Sequence, residues 1–201
     1  MLRSLEVTEV PYSVFFLCSP GDGTMIEVCR ATGHTTWVME WEAGRADFAK
    51  KVNWGYAHTE QPWIFTGADD LRFHPGWDSE ALAAGARVVG TNDLWSPAVQ
   101  TGKYATHFLF ARSYIEERGG TFDGSGAVFS EAYDHQFIDN EFTETAKARG
   151  EWVHAHGAVV EHLHPVWGKA EWDDTYRKAF RETDADHKIF NSRWKSIRRA
   201  R

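Results

Sequence analysis

Pro62-Trp63-Ile64-Phe65-Thr66-Gly67-Ala68-Asp69-Asp70-Leu71-Arg72-Phe73-His74-Pro75-Gly76-Trp77 is the stretch on which the reading of this chain turns. Trp63 to Thr66 are four bulky or β-branched residues that follow a proline without polar alternation. Such a run predicts a strand buried on both faces of a parallel sheet. Ligands of open α/β sheets sit in the crevice outside the carboxyl ends of the strands, so Asp69 and Asp70 mark the candidate site. Two adjacent carboxylates repel unless a cation lies beside them, and their hard oxygens suit Mg²⁺ or Mn²⁺, ions that in turn suit a diphosphate. The competing reading is an Asx-type turn before Pro75-Gly76, where Asp is common because it tolerates the backbone.

Outward from this stretch the chain alternates. Upstream, Met1 to Glu6 reads as the end of a helix, Val14 to Cys18 as a buried strand, Met25 to Ala31 as a helix closed by Gly33, and Thr36 to Met39 as a strand. Phe48, Val52 and Tyr56 recur at i, i+4 and i+8, one face of a helix that runs into the Pro62 strand. Downstream, Trp77 to Ala86 predicts a helix and Arg87 to Thr91 a strand ending in Asn92-Asp93. Thr106 to Arg112 predicts a strand, Ser113 to Arg118 a helical turn, and Gly119-Gly120-Thr-Phe-Asp123 a turn with unusual backbone angles, in a region read as a lid or acceptor subsite. Ile138 to Arg149 is helical, Trp152 to His156 and Ala158 to Val160 are extended, and Trp172 to Arg199 is mostly helix. The alternation gives an α/β class.

Composition bounds the function. With 201 residues, 42% hydrophobic and 14% aromatic, the chain is long enough for one domain with a real core, read as residues 1–190, followed by a basic tail over 191–201 that carries Arg193, Lys195, Arg198, Arg199 and Arg201. A net charge of −7 argues against a nucleic-acid-coating protein. Cys18 and Cys29 form neither a disulfide framework nor a metal pattern, and no apolar run approaches the ~18 residues of a membrane span. A cytoplasmic protein is the expectation.

Three further groups carry chemistry. Asp139-Asn-Glu141 opens a helix, where acidic residues are stabilised by the helix dipole whatever else they do. Glu161-His162-Leu-His164-Pro165 ends the last strand with two histidines on one face, because side chains alternate with period two. His154-Ala-His156 has the same spacing, so an all-histidine zinc site over His154, His156, His162 and His164 stands as a rival.

Taken in order, a buried strand with Asp-Asp, a Gly-Gly-x-Phe-Asp turn, an acidic helix start and a strand-terminal histidine resemble the inverting, family-two nucleotide-sugar glycosyltransferases of the GT-A fold. The resemblance runs to about Trp167. Asn53-Trp-Gly55 is similar to the family's Asn-x-Gly, Gly67-Ala-Asp69-Asp70 to its Asp-x-Asp segment, and Pro75-Gly76-Trp77 to the Pro-Gly-Trp that follows. Gly119, Gly120 and Asp123 match its Gly-Gly-Phe-Asp turn, Ile138-Asp139 stands where Glu-Asp holds the base, and His162 or His164 stands where a late metal-ligating histidine is found. Val89-Gly-Thr-Asn92-Asp93-Leu94, Tyr133-Asp-His-Gln-Phe137 and Glu161 to Pro165 resemble glycosyltransferase-like proteins of actinobacteria and their phages, which places a phage-encoded version in the host cytoplasm.

The resemblance implies a Rossmann-like, mostly parallel sheet with flanking helices, abbreviated at the N-terminus. The family's first strand lies between those matching Val14 to Cys18 and Trp63 to Thr66, and here it is expected to be missing, with the N-terminus incomplete. It also implies direct displacement at a sugar's anomeric carbon. Asp69, Asp70 and His162 or His164 would hold Mn²⁺ or Mg²⁺ on a UDP- or GDP-linked donor, with Asn53 and Gly55 on the donor side. Asn92, Asp93, Gly119, Gly120 and Asp123 would lie towards an acceptor, protein or glycan, and Asp139, with Glu141 next to it, would supply the general base. Gly67 replaces the first acid of Asp-x-Asp, and Ile138 the Glu of Glu-Asp. The missing strand and Gly67 favour the other rival, a non-catalytic binding or structural protein that keeps a decayed transferase fold.

Overall fold

A computed structural model describes residues 1–200, the side chains of residues 175, 179, 182 and 196–200 excepted. Its elements in chain order are α1 (Leu2–Leu5), β1 (Phe15–Cys18), α2 (Gly23–Ala31), β2 (Thr35–Val38), α3 (Asp47–Ala57), β3 (Trp63–Phe65), β4 (Leu71–Phe73) and α4 (Trp77–Ala83). They continue as β5 (Val88–Asn92), α5 (Pro97–Gln100), β6 (Phe108–Ala111), α6 (Arg112–Arg118), α7 (Ile138–Ala148), β7 (Trp152–His162) and α8 (Asp174–Ala200). The α/β class is as expected. No helix among the described residues is long and apolar enough to cross a membrane.

The expected mostly parallel sheet is corrected to two sheets, the larger one mixed. β1 and β2 form a parallel pair, and a five-stranded sheet has the order β3-β6-β5-β7-β4. Within it only β5 and β7 are parallel; β3 with β6, β6 with β5, and β7 with β4 are antiparallel. The misreading has a physical source in β3. Ile64 packs on one core cluster and Trp63 and Phe65 on another, so both faces are covered and the sequence shows no alternation. An edge strand between two layers has the same apolar signature as a central parallel one, and β3 is an edge strand, only half-buried.

β1 and β3, expected to flank a missing strand, do not pair with each other. Residues 1–11 do not form a strand either: Leu2–Leu5 is helical, and Leu5 packs on Leu71, Phe73, Trp77 and Val160.

The main core is aromatic. Phe142 on α7 meets Phe108 and Phe110 on β6 edge-on, with ring centroids 4.9 and 5.6 Å apart, an arrangement favoured by the ring quadrupoles. The Gly119-Gly120 turn is a packing requirement. Gly119 has φ +67, and a Cβ on Gly120 would come within 2.2 Å of the Val128 carbonyl oxygen.

Helix α8 continues past residue 190, so the expected basic tail is the last part of a helix whose Arg193 is tied into the body; the side chains of Arg198 and Arg199, and Arg201 itself, lie outside the described residues. Asp186, 1% exposed, accepts hydrogen bonds from the backbone N–H groups of Asp134, His135 and Gln136 at 2.8 to 2.9 Å. Replacing Asp186 by Ala strands these donors and is expected to cost ~2–3 kcal/mol in urea unfolding; a loss under 0.5 kcal/mol would show that α8 is not held there.

Candidate functional site

The geometry of the site follows from one irregularity in β7. Gly90 pairs with His154 and Asn92 with Val159, so two steps along β5 correspond to five along β7. The side chain of Asn92 secures the bulge by donating to the His156 carbonyl at 2.8 Å, while its own carbonyl accepts from Leu94 N at 2.9 Å and from Gln100. A register shift of three reverses the faces of the strand. Ala155 and Ala158, an odd spacing apart, accordingly share one core cluster. His154 and His162, an even spacing apart, thus lie on opposite faces. They are also eight residues, roughly 25 Å, apart along the strand. The all-histidine zinc site is therefore not assembled.

At its carboxyl end β7 turns to β4, and Leu71 pairs with His162. This pairing sets Asp70 beside His162, whose Nε2 lies 3.0 Å from Asp70 Oδ2. Tyr176, near the start of α8, donates its hydroxyl to the same oxygen. Asp70 Oδ1 is buried with no partner among the described residues. Burial pushes the Asp70 carboxyl up, but hydrogen bonds and charge from His162, together with the Tyr176 hydroxyl, outweigh it and hold the group well below the usual carboxylate range. Behind the pair sits His107, with its ring edge-on to His162 at 5.0 Å. Its Nδ1 lies 3.1 Å from the Thr66 carbonyl and its buried Nε2 has no partner among the described residues. Burial and the nearby His162 push its pKa down to about 3, so His107 is neutral and its Nε2 is an acceptor.

Two more carboxylates border this group. Asp93, 1% exposed, accepts from Trp95 N and Ser96 N through Oδ1, which starts α5, while Oδ2 is buried and unpartnered among the described residues. Asp139 is half-buried in the first turn of α7; its only hydrogen bond among the described residues is from Asn140 N at 2.9 Å. Burial raises its pKa to about 6, and His162 lies close enough to pull against that rise. Asp139 is thus half ionised near pH 6 and mostly ionised at neutrality, and it has no ion pair among the described residues, which is the state a general base requires.

Most of the other expected residues have structural partners. Asp69 is exposed and has no hydrogen bond among the described residues, and it does not share the Asp70 contacts. His164 Nδ1 accepts from Val166 N and caps a short 3₁₀ turn, with its ring 4.7 Å from that of Tyr176. Asn53 binds Phe129 through both ends of its amide, at 2.9 Å each, and a Cβ on Gly55 would press on Leu17 at 3.1 Å. Glu141, 1% exposed, accepts from Phe122 N, Tyr133 Oη and two nitrogens of Arg193, and Arg193 also reaches Asp123 at 3.1 Å. A buried carboxylate in a bidentate guanidinium pair is a joint between α7 and α8, poorly suited to taking up a proton.

His107 and Tyr176 were not among the expected residues. A lone histidine beside an apolar run and a tyrosine in an amphipathic helix give no local signal. Among the described residues, no three His, Cys, Asp or Glu side chains are arranged as a metal-ligand set. No protein-family model matches the chain, and none of the curated proteins does.

The environment of Asp139 sets a stability test. Its raised pKa means that the neutral form favours the fold; this contribution is complete below the unfolded value near pH 4 and is lost as the pH rises through about 6. Asp139→Asn, permanently neutral, is therefore expected to be more stable than the parent by ~1–3 kcal/mol at pH 8, and the gain should vanish near pH 4. No gain at pH 8 would show that Asp139 is solvated, and a gain independent of pH that its source is not the ionisation of Asp139.

Proposed function

We propose that this chain is a metal-dependent glycosyltransferase of GT-A type that moves a sugar from a nucleotide-diphosphate donor to an acceptor hydroxyl with inversion. The supporting observation is the grouping of Asp70, His162 and an uncommitted Asp139 at the carboxyl end of β7. The residues fit a divalent cation. Asp70 offers a buried oxygen without a partner among the described residues, His162 an imidazole next to it, and a Mg²⁺- or Mn²⁺-type ion leaves its other positions to water and substrate oxygens. Such a cation supplies neutralisation of the charge that develops on a diphosphate leaving group.

The chain's own residues do the rest. Asp70 and His162 orient the diphosphate end of the donor, and neutral His107 behind them adds no competing positive charge. Asp139 accepts the acceptor hydroxyl's proton as the new bond forms at the anomeric carbon and the bond to the diphosphate oxygen breaks. UDP- or GDP-linked sugars are the donor class, and a protein or glycan hydroxyl is the acceptor.

A second reading is a non-catalytic binding protein. It is favoured by His162 and Tyr176 both resting on one oxygen of Asp70, with no three-residue ligand set formed among the described residues.

Calorimetry with UDP- and GDP-sugars plus Mn²⁺, followed by product analysis, separates the two readings. Asp70→Ala is expected to abolish metal-dependent donor binding, and unchanged donor affinity would remove Asp70 from the site. Asp139→Asn is expected to keep donor binding while transfer falls ~10²-fold or more. For the parent, transfer should rise with pH through about 6 as Asp139 loses its proton. Donor binding without transfer to any acceptor, in parent and variant alike, would favour the binding protein.

A further inference from the structure

Helix α8 is fastened unevenly. Towards its C-terminal end Asp186 holds three backbone N–H groups, and Arg193 forms a bidentate pair with buried Glu141. Towards its start most of the described side chains are exposed, Trp172 just ahead of it at 39% and Phe180 at 58%. The hydrogen bond that ties this first part to the body, among the described residues, is the one from the Tyr176 hydroxyl to Asp70 Oδ2, seconded by ring contacts with His164 and Trp172. Among the described residues, Asp70 Oδ2 thus has two donors on it, while Oδ1 has none.

From this geometry we infer that Tyr176 is a latch: its hydroxyl occupies the Asp70 carboxylate when no cation is bound, and cation binding at Asp70 releases the start of α8. The inference rests on the reading of Asp70 as the cation-holding group. A phenol O–H and a divalent ion compete for the same carboxylate lone pairs, and the ion draws the carboxylate's charge towards itself, which weakens any hydrogen bond the same group accepts. A cation on Oδ1 therefore weakens the Tyr176 bond to Oδ2, and one that bridges both oxygens replaces or shares it. Either outcome loosens residues 174–180, because among the described hydrogen bonds the one from Tyr176 is what ties this segment to the body. The exposed Trp172 and Phe180 move with that segment, so the occupancy of Asp70 governs how firmly the start of α8 is held.

The test compares the parent with Tyr176→Phe, which keeps the ring packing and removes only the hydroxyl. Mn²⁺ affinity is read by the paramagnetic resonance of free Mn²⁺, and amide hydrogen exchange over 174–180 is measured with and without the ion. The variant is expected to bind Mn²⁺ about tenfold tighter, the loss of one hydrogen bond to a charged group. In the parent, exchange over 174–180 should speed up on adding Mn²⁺. In the variant it should be fast at the outset and insensitive to the ion. Equal or weaker Mn²⁺ binding by the variant, or parental exchange that ignores bound Mn²⁺, overturns the latch and leaves the cation site standing. No Mn²⁺ binding by either protein overturns the cation site and the latch together.

Discussion

The irregular pairing of β7 is the constraint on which the site depends. A strand that paired regularly with β5 from Trp152 to His162 would keep one parity on one face throughout, and His162 would point to the side that His154 takes. The bulge reverses the parity, and Asn92, held by Gln100 and Leu94, keeps the bulge in place. Only then does the end of β7 accept β4 as a partner with Leu71 opposite His162, which brings Asp70 to the imidazole. The site is an outcome of strand register, and its precision is borrowed from a buried amide.

The same economy shows in the acidic groups. Five carboxylates carry the candidate chemistry or its surroundings, and burial sorts them. Glu141 is deep and fully matched by Arg193, Tyr133 and a backbone N–H, so it joins two helices. Asp93, also buried, holds the backbone N–H groups of Trp95 and Ser96 in the turn ahead of α5. Asp69 is exposed. Asp70 and Asp139 are neither fully matched nor fully solvated, and two carboxyl groups driven in opposite directions by their surroundings are what a site with a charge-holding group and a proton acceptor needs.

Most elements were legible in the sequence because their periodicities are strong: the face of α3 through Phe48, Val52 and Tyr56, the apolar runs of β1, β5 and β6, and the acidic start of α7. The pairing pattern was less legible. β4 is three residues long and sits between Asp70 and His74, where turn signals dominate, and its pairing with β7 is fixed at long range. Asp70, His162 and Asp139 were visible as residue types in a telling order. Glu141 looked equivalent to Asp139 because both lie in the first turn of α7, and only Arg193, 52 residues on, separates their roles. Tyr176 is 106 residues from Asp70, and no local pattern announces a contact of that range.

The account's central claim is that a cation and a nucleotide diphosphate meet at Asp70 and His162. The ring protons of the ten histidines report on it directly, by nuclear magnetic resonance during addition of substoichiometric Mn²⁺ with UDP or GDP. The account predicts that the signals of His162 broaden first, then those of His107 and His164, whose rings lie 5.0 Å from it, while His58, His154 and His156 stay sharp. Broadening centred on His154 and His156, or uniform broadening of all ten, would contradict it.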